Sequence, residues 1–262
     1  MFPYLQIPML RLGSLALSPF RALVTMGILV GYFTMLRRSR RAGLDPGRAA
    51  GLCVWALIPG LLFAHWFKLI YQPTIVRTDP WVVLQILNGS ASFGGVAGGL
   101  VGAVFFFRRQ RMTMHEALSY LDVLAFSFLC GWMFGRMGCY LAHDHPGIRT
   151  TSWLAVRYPG GPRYDLGLLE VLVTPFLLAL ARVVDRFHSP PGTYLGVLLV
   201  LCPAFRLWFD TLHESPPRYW GISVDQYASF AFILVGLAIL RLVRAKHASP
   251  APQVSVPSNL PC

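Results

Sequence analysis

The chain has 262 residues, of which 55% are hydrophobic and only 13% charged, and it carries a net charge of +12. Soluble domains average about 25% charged residues, so this composition excludes an ordinary soluble fold and points to a bilayer. The basic residues sit in short runs at the ends of apolar segments, which is the orienting pattern of an integral membrane protein and makes membrane lipids, not nucleic acid, the implied partner.

Residues 1–18 are apolar and interrupted by Pro3 and Pro8. They lack the ordered regions of a cleavable signal peptide and suit a re-entrant or amphipathic lead-in at the interface. The first span is expected over about 20–36, stopped by Arg37-Arg38-Ser39-Arg40-Arg41, and the second over about 49–71, with Pro59 and Gly60 inside. A polar connection follows at 72–81. The third span covers 82–107 and ends at Arg108-Arg109-Gln110-Arg111. The fourth covers about 117–134, and a long polar section runs over 135–165. The remaining spans fall at about 166–184, 193–212 and 227–243. Each can cross a hydrocarbon core of roughly 30 Å. The expected fold class is all-α: a polytopic integral membrane protein of about seven transmembrane helices, one domain over 1–245, and a disordered tail over 246–262. Lys and Arg cluster after the first, third and fifth spans and in the tail. That places the C-terminus in the cytoplasm and the N-terminus outside. The outer 135–165 section is itself basic, with Arg136, Arg149, Arg157 and Arg163, and an anionic ligand on that face would explain it.

Five cysteines, odd in number and mostly in apolar runs, form no disulfide framework and no C-x-x-C pattern. In the third span, Gly94-Gly95-Val96-Ala97-Gly98-Gly99-Leu100-Val101-Gly102 allows close helix packing. Contact of the Gly98 and Gly99 backbone with a lipid headgroup or peptide is the functional alternative.

The stretch Gly131–Gly147 concentrates ionisable groups where an apolar run ends. Such groups are costly in hydrocarbon unless they line a wet cavity or bind something. Arg136 fits either snorkelling to headgroups or bidentate phosphate binding. Arg206 and Asp210 are four residues apart on one helix face and are expected to pair. Asp165 suits a helix cap. Glu170, one turn deeper, needs a partner, and Arg136 and Arg206 are the candidates. His143-Asp144-His145, with Cys139 four residues before, invites zinc. No second cluster of ligands follows and Pro146-Gly147 break the element, so no metal or cofactor is expected. A base titrating near neutral pH or simple surface polarity remains for the histidines, and a nucleophile or a small buried filler for Cys139. His65, Lys68, His213 and Glu214 are further polar groups expected near the outer side.

These residues resemble the prolipoprotein diacylglyceryl transferases, whose signature is Gly-Arg-x-Gly-Asn-Phe-x-Asn-x-Glu-x-x-Gly. Gly135-Arg136-Met137-Gly138-Cys139-Tyr140-Leu141-Ala142-His143-Asp144-His145-Pro146-Gly147 follows the same frame, with Arg136, Gly138 and Gly147 matching and Asp144 next to or at the glutamate position. Ser92-Phe93 with Gly98-Gly99-Leu100-Val101-Gly102 looks like its Ser-Phe-His-Gly-Gly-Leu-x-Gly segment. Phe205-Arg206 with Asp210 looks like its Phe-Arg-x-x-x-Glu segment. Glu170 falls at its Tyr-Glu pair, and Val224-Asp225-Gln226 resembles the opening of its last span. The chain departs from the family at Ala97 for a histidine, Cys139 and Ala142 for asparagines, and Cys202 and Val24 for tyrosines.

The resemblance implies a seven-span enzyme of the bacterial inner membrane with its active site toward the periplasm. It would move a diacylglyceryl group from phosphatidylglycerol to the cysteine thiol of prolipoprotein signal peptides, releasing glycerol phosphate. It assigns Arg136 and Arg206 to the leaving phosphate. With the family histidine absent, His143 or His145 is expected as the base, with Asp144 beside them. Gly98, Gly99, Gly138, Cys139, Glu170 and Asp210 are the expected substrate contacts. The alternative is a non-catalytic relative that binds anionic lipid or lipidated peptide.

Overall fold

The computed structural model describes residues 1–248 apart from 6, 9, 13–14, 72, 85–91, 188 and 215–217. The chain is largely helical: α1 Pro19–Arg41, α2 Pro46–Tyr71, α3 Pro73–Thr78, α4 Ser92–Arg109, α5 Met114–Ala142, α6 Leu166–Arg186, α7 Thr193–Asp210 and α8 Val224–Ala248. Six of these, α1, α2 and α5 to α8, are long and apolar enough to cross a membrane. The protein is thus an all-α, multi-pass membrane protein.

Local chemistry sets the helix starts. The Ser18 hydroxyl accepts the Arg21 N–H and Pro19 opens α1. Thr113 and Glu116 form a reciprocal capping box at the start of α5, which satisfies donors the first turn leaves unpaired. Asp165 caps α6 through the Leu168 N–H at 3.0 Å, as its position suggested. Between helices, Asp122 of α5 accepts the Gly192 and Leu195 N–H groups, each at 2.8 Å. A half-buried acid of α5 thus caps the start of α7.

α4 differs from the expected third span. It begins at Ser92, after a 3-10 turn at Pro80–Leu84, while 85–91 lie outside the described residues. The glycines of α4 then separate into two sets. A β-carbon on Gly98 or Gly102 would collide with the Pro59 or Trp55 carbonyl of α2, so these positions let the two backbones touch. Gly95 and Gly99 instead line a cavity.

Short strands gather at one end of the bundle. β1 Leu10–Leu12 and β2 Leu15–Leu17 pair antiparallel, so this part of the expected interfacial lead-in is built of strands. β3 Pro146–Arg149, β4 Val156–Tyr158 and β5 Gly161–Asp165 form a sheet in the order β3-β5-β4, and β6 Arg218–Tyr219 pairs with β7 Ile222–Ser223. Phe2 bridges to Val156 and Gly147 to His213. The first residues therefore join the β4 edge of the sheet. Toward the other end, Arg38 meets Asp185 at 2.8 Å and stacks over Phe126 at 4.2 Å.

The core is divided. Met35, Leu52, Phe106 and Tyr120 join α1, α2, α4 and α5, and Leu129, Leu177, Tyr194 and Leu198 join α5, α6 and α7. Leu195, Leu199 and Phe232 pack α7 against α8, with Phe93, Ala97 and Leu100 of α4 alongside. Phe33, Ile58 and Leu234 are exposed, as expected of faces turned to lipid. The tail expected from 246 onward is helical through Ala248, and 249–262 lie outside the described residues.

Candidate functional site

α5 runs eight residues past the expected end of the fourth span, so Arg136 and Cys139, in the first part of the expected polar section, are helical. No strong breaker occurs before Pro146, and Gly135 and Gly138 do not stop the helix. Arg136 is only 3% exposed. Its Nε lies 2.6 Å from Glu170 Oε2, and its guanidinium stacks on Trp132 at 4.4 Å, one turn earlier.

Glu170 is buried in the second turn of α6. Its other oxygen, Oε1, accepts Nη1–H of Arg206 on α7. The Arg206 Nη2 and Nε groups both donate to Asp225 Oδ2, at 2.6 and 3.1 Å. Two arginines and two carboxylates from α5, α6, α7 and α8 thus form one chain of ion pairs. Removing such groups from water is costly unless each is paired and hydrogen-bonded, and here each carboxylate fixes guanidinium groups in place.

The expected Arg206–Asp210 pair is not formed. Asp210 is buried, and its Oδ2 accepts the Ser223 hydroxyl at 2.9 Å. Arg206 is satisfied by carboxylates of neighbouring helices, while Asp210 closes the end of α7 onto β7. Arg163 meets Glu214 and the Gly147 carbonyl, so its charge on the sheet has an internal partner.

A cavity of about 910 Å³ opens beside this chain, with walls from α1, α2 and α4 to α8. Its surface is mainly apolar. Arg136, Glu170, Arg206, Cys139, Asp144, His145 and Lys68 supply polar groups to its wall. Val24 and Cys202 also line it, so three substitutions relative to the family pattern, at 24, 139 and 202, lie on one surface. Gly99 borders the cavity, whereas Gly98 and Gly138 are packing positions, Gly138 against Phe20.

The two histidines are separated. His143 caps α5 in the left-handed conformation, φ 53° and ψ 36°, and its ring enters an aromatic wall away from the cavity. It stacks on Tyr4 at 3.8 Å and meets Tyr140 and Tyr158 edge-on. Its Nε2 lies 3.1 Å from the Leu5 carbonyl oxygen, and Nδ1 lies 3.5 Å from Asp165 Oδ2.

The reversal at His143 returns Asp144 and His145 over Cys139. Ligand atoms of these three residues all lie within 4.8 Å of one another. The expectation of no metal rested on the missing second cluster; one stretch folded back on itself brings three ligand types together. Asp144 is exposed as a residue, but desolvation where it meets the cavity wall raises its carboxyl above the ordinary value, with Arg136 opposing. Burial, followed by the charges of Arg136 and Arg206, pushes His145 down to about 3, leaving its ring neutral near pH 7.

Sequence reasoning singled out neither Asp225 as an ion-pair partner nor Asp122 as a cap. The available signal was a lone carboxylate within or at the start of an apolar run.

Fold and site together define a multi-pass membrane protein whose helices enclose an apolar cavity with paired arginines in its wall. The sequence profile of prolipoprotein diacylglyceryl transferases matches residues 8–242, and the chain belongs to this family. It is 26% identical over 253 residues to a phosphatidylglycerol–prolipoprotein diacylglyceryl transferase of Staphylococcus carnosus, covering 92% of this chain and 91% of that protein. A protein of the same name from Agrobacterium fabrum is 26% identical over 270 residues, with 95% of each chain covered. One from Frankia alni is 27% identical over 254 residues, 92% of this chain and 66% of that longer relative.

Proposed function

We propose that this chain transfers a diacylglyceryl group from phosphatidylglycerol to the cysteine thiol of prolipoproteins, within the bacterial inner membrane and with its site toward the periplasm. The observation that carries the reading is the Arg136–Glu170–Arg206–Asp225 chain beside an apolar cavity. The cavity suits acyl chains. The arginines suit the phosphate on which negative charge develops as the glyceryl carbon–oxygen bond breaks.

In this reaction the acceptor sulfur attacks the glyceryl carbon. The bonding pair of the broken carbon–oxygen bond stays on the phosphate oxygen, and glycerol phosphate departs. Arg136 and Arg206 are the phosphate-side residues, with Glu170 and Asp225 orienting them. Asp144 and His145 border the cavity near Cys139 and serve the thiol side, while His143 holds the outer wall. The orientation rests on the arginines that follow α1 and α4, which mark the cytoplasmic side.

Complementation is the direct test. The chain should restore lipoprotein maturation in cells depleted of their own transferase, and Arg136→Ala and Arg206→Ala should each lose that rescue. Failure of the unaltered chain, confirmed as present in the membrane, would favour a lipid-binding relative without transferase activity.

A further inference from the structure

We propose that Cys139, Asp144 and His145 hold a zinc ion whose fourth position takes the sulfur of the acceptor cysteine. The inference rests on the transferase reading above and adds the means by which the thiol is activated.

The ligand set comes first. A thiolate, an imidazole and a carboxylate are the donor types zinc accepts, and three protein ligands with one open position is the catalytic arrangement. The ligand atoms lie within 4.8 Å of one another. Tetrahedral zinc bonds bring such atoms to about 3.5 Å, a closure of roughly 1 Å. Asp144 is exposed and His145 only partly buried, so side-chain rotation can supply it. All three line the cavity, so the open position faces a bound substrate.

The neighbouring charge is compatible with a cation. Arg136 lies one turn before Cys139 on α5, but Glu170 and Asp225 balance the two arginines.

The chemistry supplies a reason for the site. A free thiol has a pKa of about 8.5, and apolar surroundings raise it further. Coordination to zinc removes the thiol proton outright, here to water at the cavity mouth. The metal-held sulfur then forms the carbon–sulfur bond as the phosphate leaves toward Arg136 and Arg206. No oxidant or reductant is required.

The test uses the full-length protein in detergent, stripped with a chelator and titrated with cobalt(II). The expected result is one cobalt per chain, with a thiolate-to-cobalt charge-transfer band that disappears in Cys139→Ser while far-ultraviolet circular dichroism is unchanged. A signal-peptide acceptor should perturb the cobalt spectrum, and the same peptide with serine for its cysteine should not. Chelation should lower transfer by about 100-fold, and zinc should restore it. Activity untouched by chelation, with no cobalt band, overturns the metal and leaves the transferase reading standing. A cobalt band in protein that labels no peptide, with or without zinc, upholds the ligand set and overturns its role in transfer.

Discussion

Arg206 reaches across to Glu170 on α6, not along its own helix to Asp210, although Asp210 lies one turn away. Glu170 therefore binds both arginines, and its removal leaves two guanidinium groups short of a partner. Breaking a buried pair by deleting one member costs about 3 kcal/mol or more. Glu170→Gln should lower thermal stability in detergent by that order and abolish transfer. Wild-type stability in this variant would contradict the shared-carboxylate arrangement.

The two aspartates near Arg206 should separate in function. Asp225→Asn weakens the charge-assisted bonds at 2.6 and 3.1 Å and should lower transfer at least tenfold, about 1.4 kcal/mol. Asp210→Asn keeps an acceptor for the Ser223 hydroxyl and should retain activity within about threefold. Initial rates with a labelled acceptor peptide check both. The reverse order would reinstate pairing along α7.

The spans were legible because long apolar runs stopped by arginine have few other solutions in a bilayer. Arg136 and Arg206 were legible for the same reason: isolated charge in apolar sequence demands a role. Their partners were not. Glu170 lies 36 residues from Arg206 and Asp225 lies 19 away, whereas the spacing of four to Asp210 fits a rule valid for an isolated helix. Tertiary packing overrode it. The approach of Asp144 and His145 to Cys139 depends on a left-handed residue at His143, a conformation that glycine or asparagine would have signalled and histidine does not. The joining of the first residues to the edge of the sheet depends on backbone pairing at Phe2, for which the sequence carries no periodic mark.

The two sets of glycines in α4 should respond differently to alanine. Gly102→Ala places a methyl group against the Trp55 carbonyl, and Gly98→Ala against that of Pro59, so each should cost about 1–3 kcal/mol by forcing α2 and α4 apart. At Gly99 the nearest backbone atom, the Ala56 oxygen, would lie 3.6 Å from the new carbon. Gly99→Ala should therefore fold normally and act only on the cavity, read as a raised KM for the lipid. Thermal unfolding and lipid-dependent kinetics on the three variants check the contrast.

Tyr158 and Asp165 set a pH response at the base of the sheet. Tyr158 donates to Asp165 Oδ2 at 2.7 Å. Burial raises the Asp165 carboxyl above its ordinary value, while the bonds from Tyr158 and the Leu168 N–H oppose the rise. A raised folded-state value means that the folded protein holds this proton more tightly than the unfolded chain. The resulting stability is full below the unfolded value, about 3.9, and is lost as pH rises through the folded value. Tyr158→Phe removes an opposing bond and raises the folded value again, so the loss extends to higher pH. It also removes a bond to a charged group, worth about 1.5–3 kcal/mol. Melting temperatures from pH 4 to 7 should fall further in Tyr158→Phe than in the parent, and Asp165→Asn should flatten that part of the profile.

The histidines give the sharpest separation of structure from chemistry. His143 is held by Tyr4, Tyr140, Tyr158 and the Leu5 carbonyl, whereas His145 borders the cavity. His143→Gln should loosen the first residues from the sheet. Protease cleavage near Tyr4 should then accelerate, with transfer reduced by less than about tenfold, because the ring touches no cavity surface. His145→Gln should leave that cleavage rate unchanged and lower transfer by about 100-fold, as for losing a ligand that holds the metal beside the nucleophile. Limited proteolysis and initial rates on the same preparations read both effects. Loss of transfer in His143→Gln with an intact N-terminal arm would move the thiol side of the site to the aromatic wall.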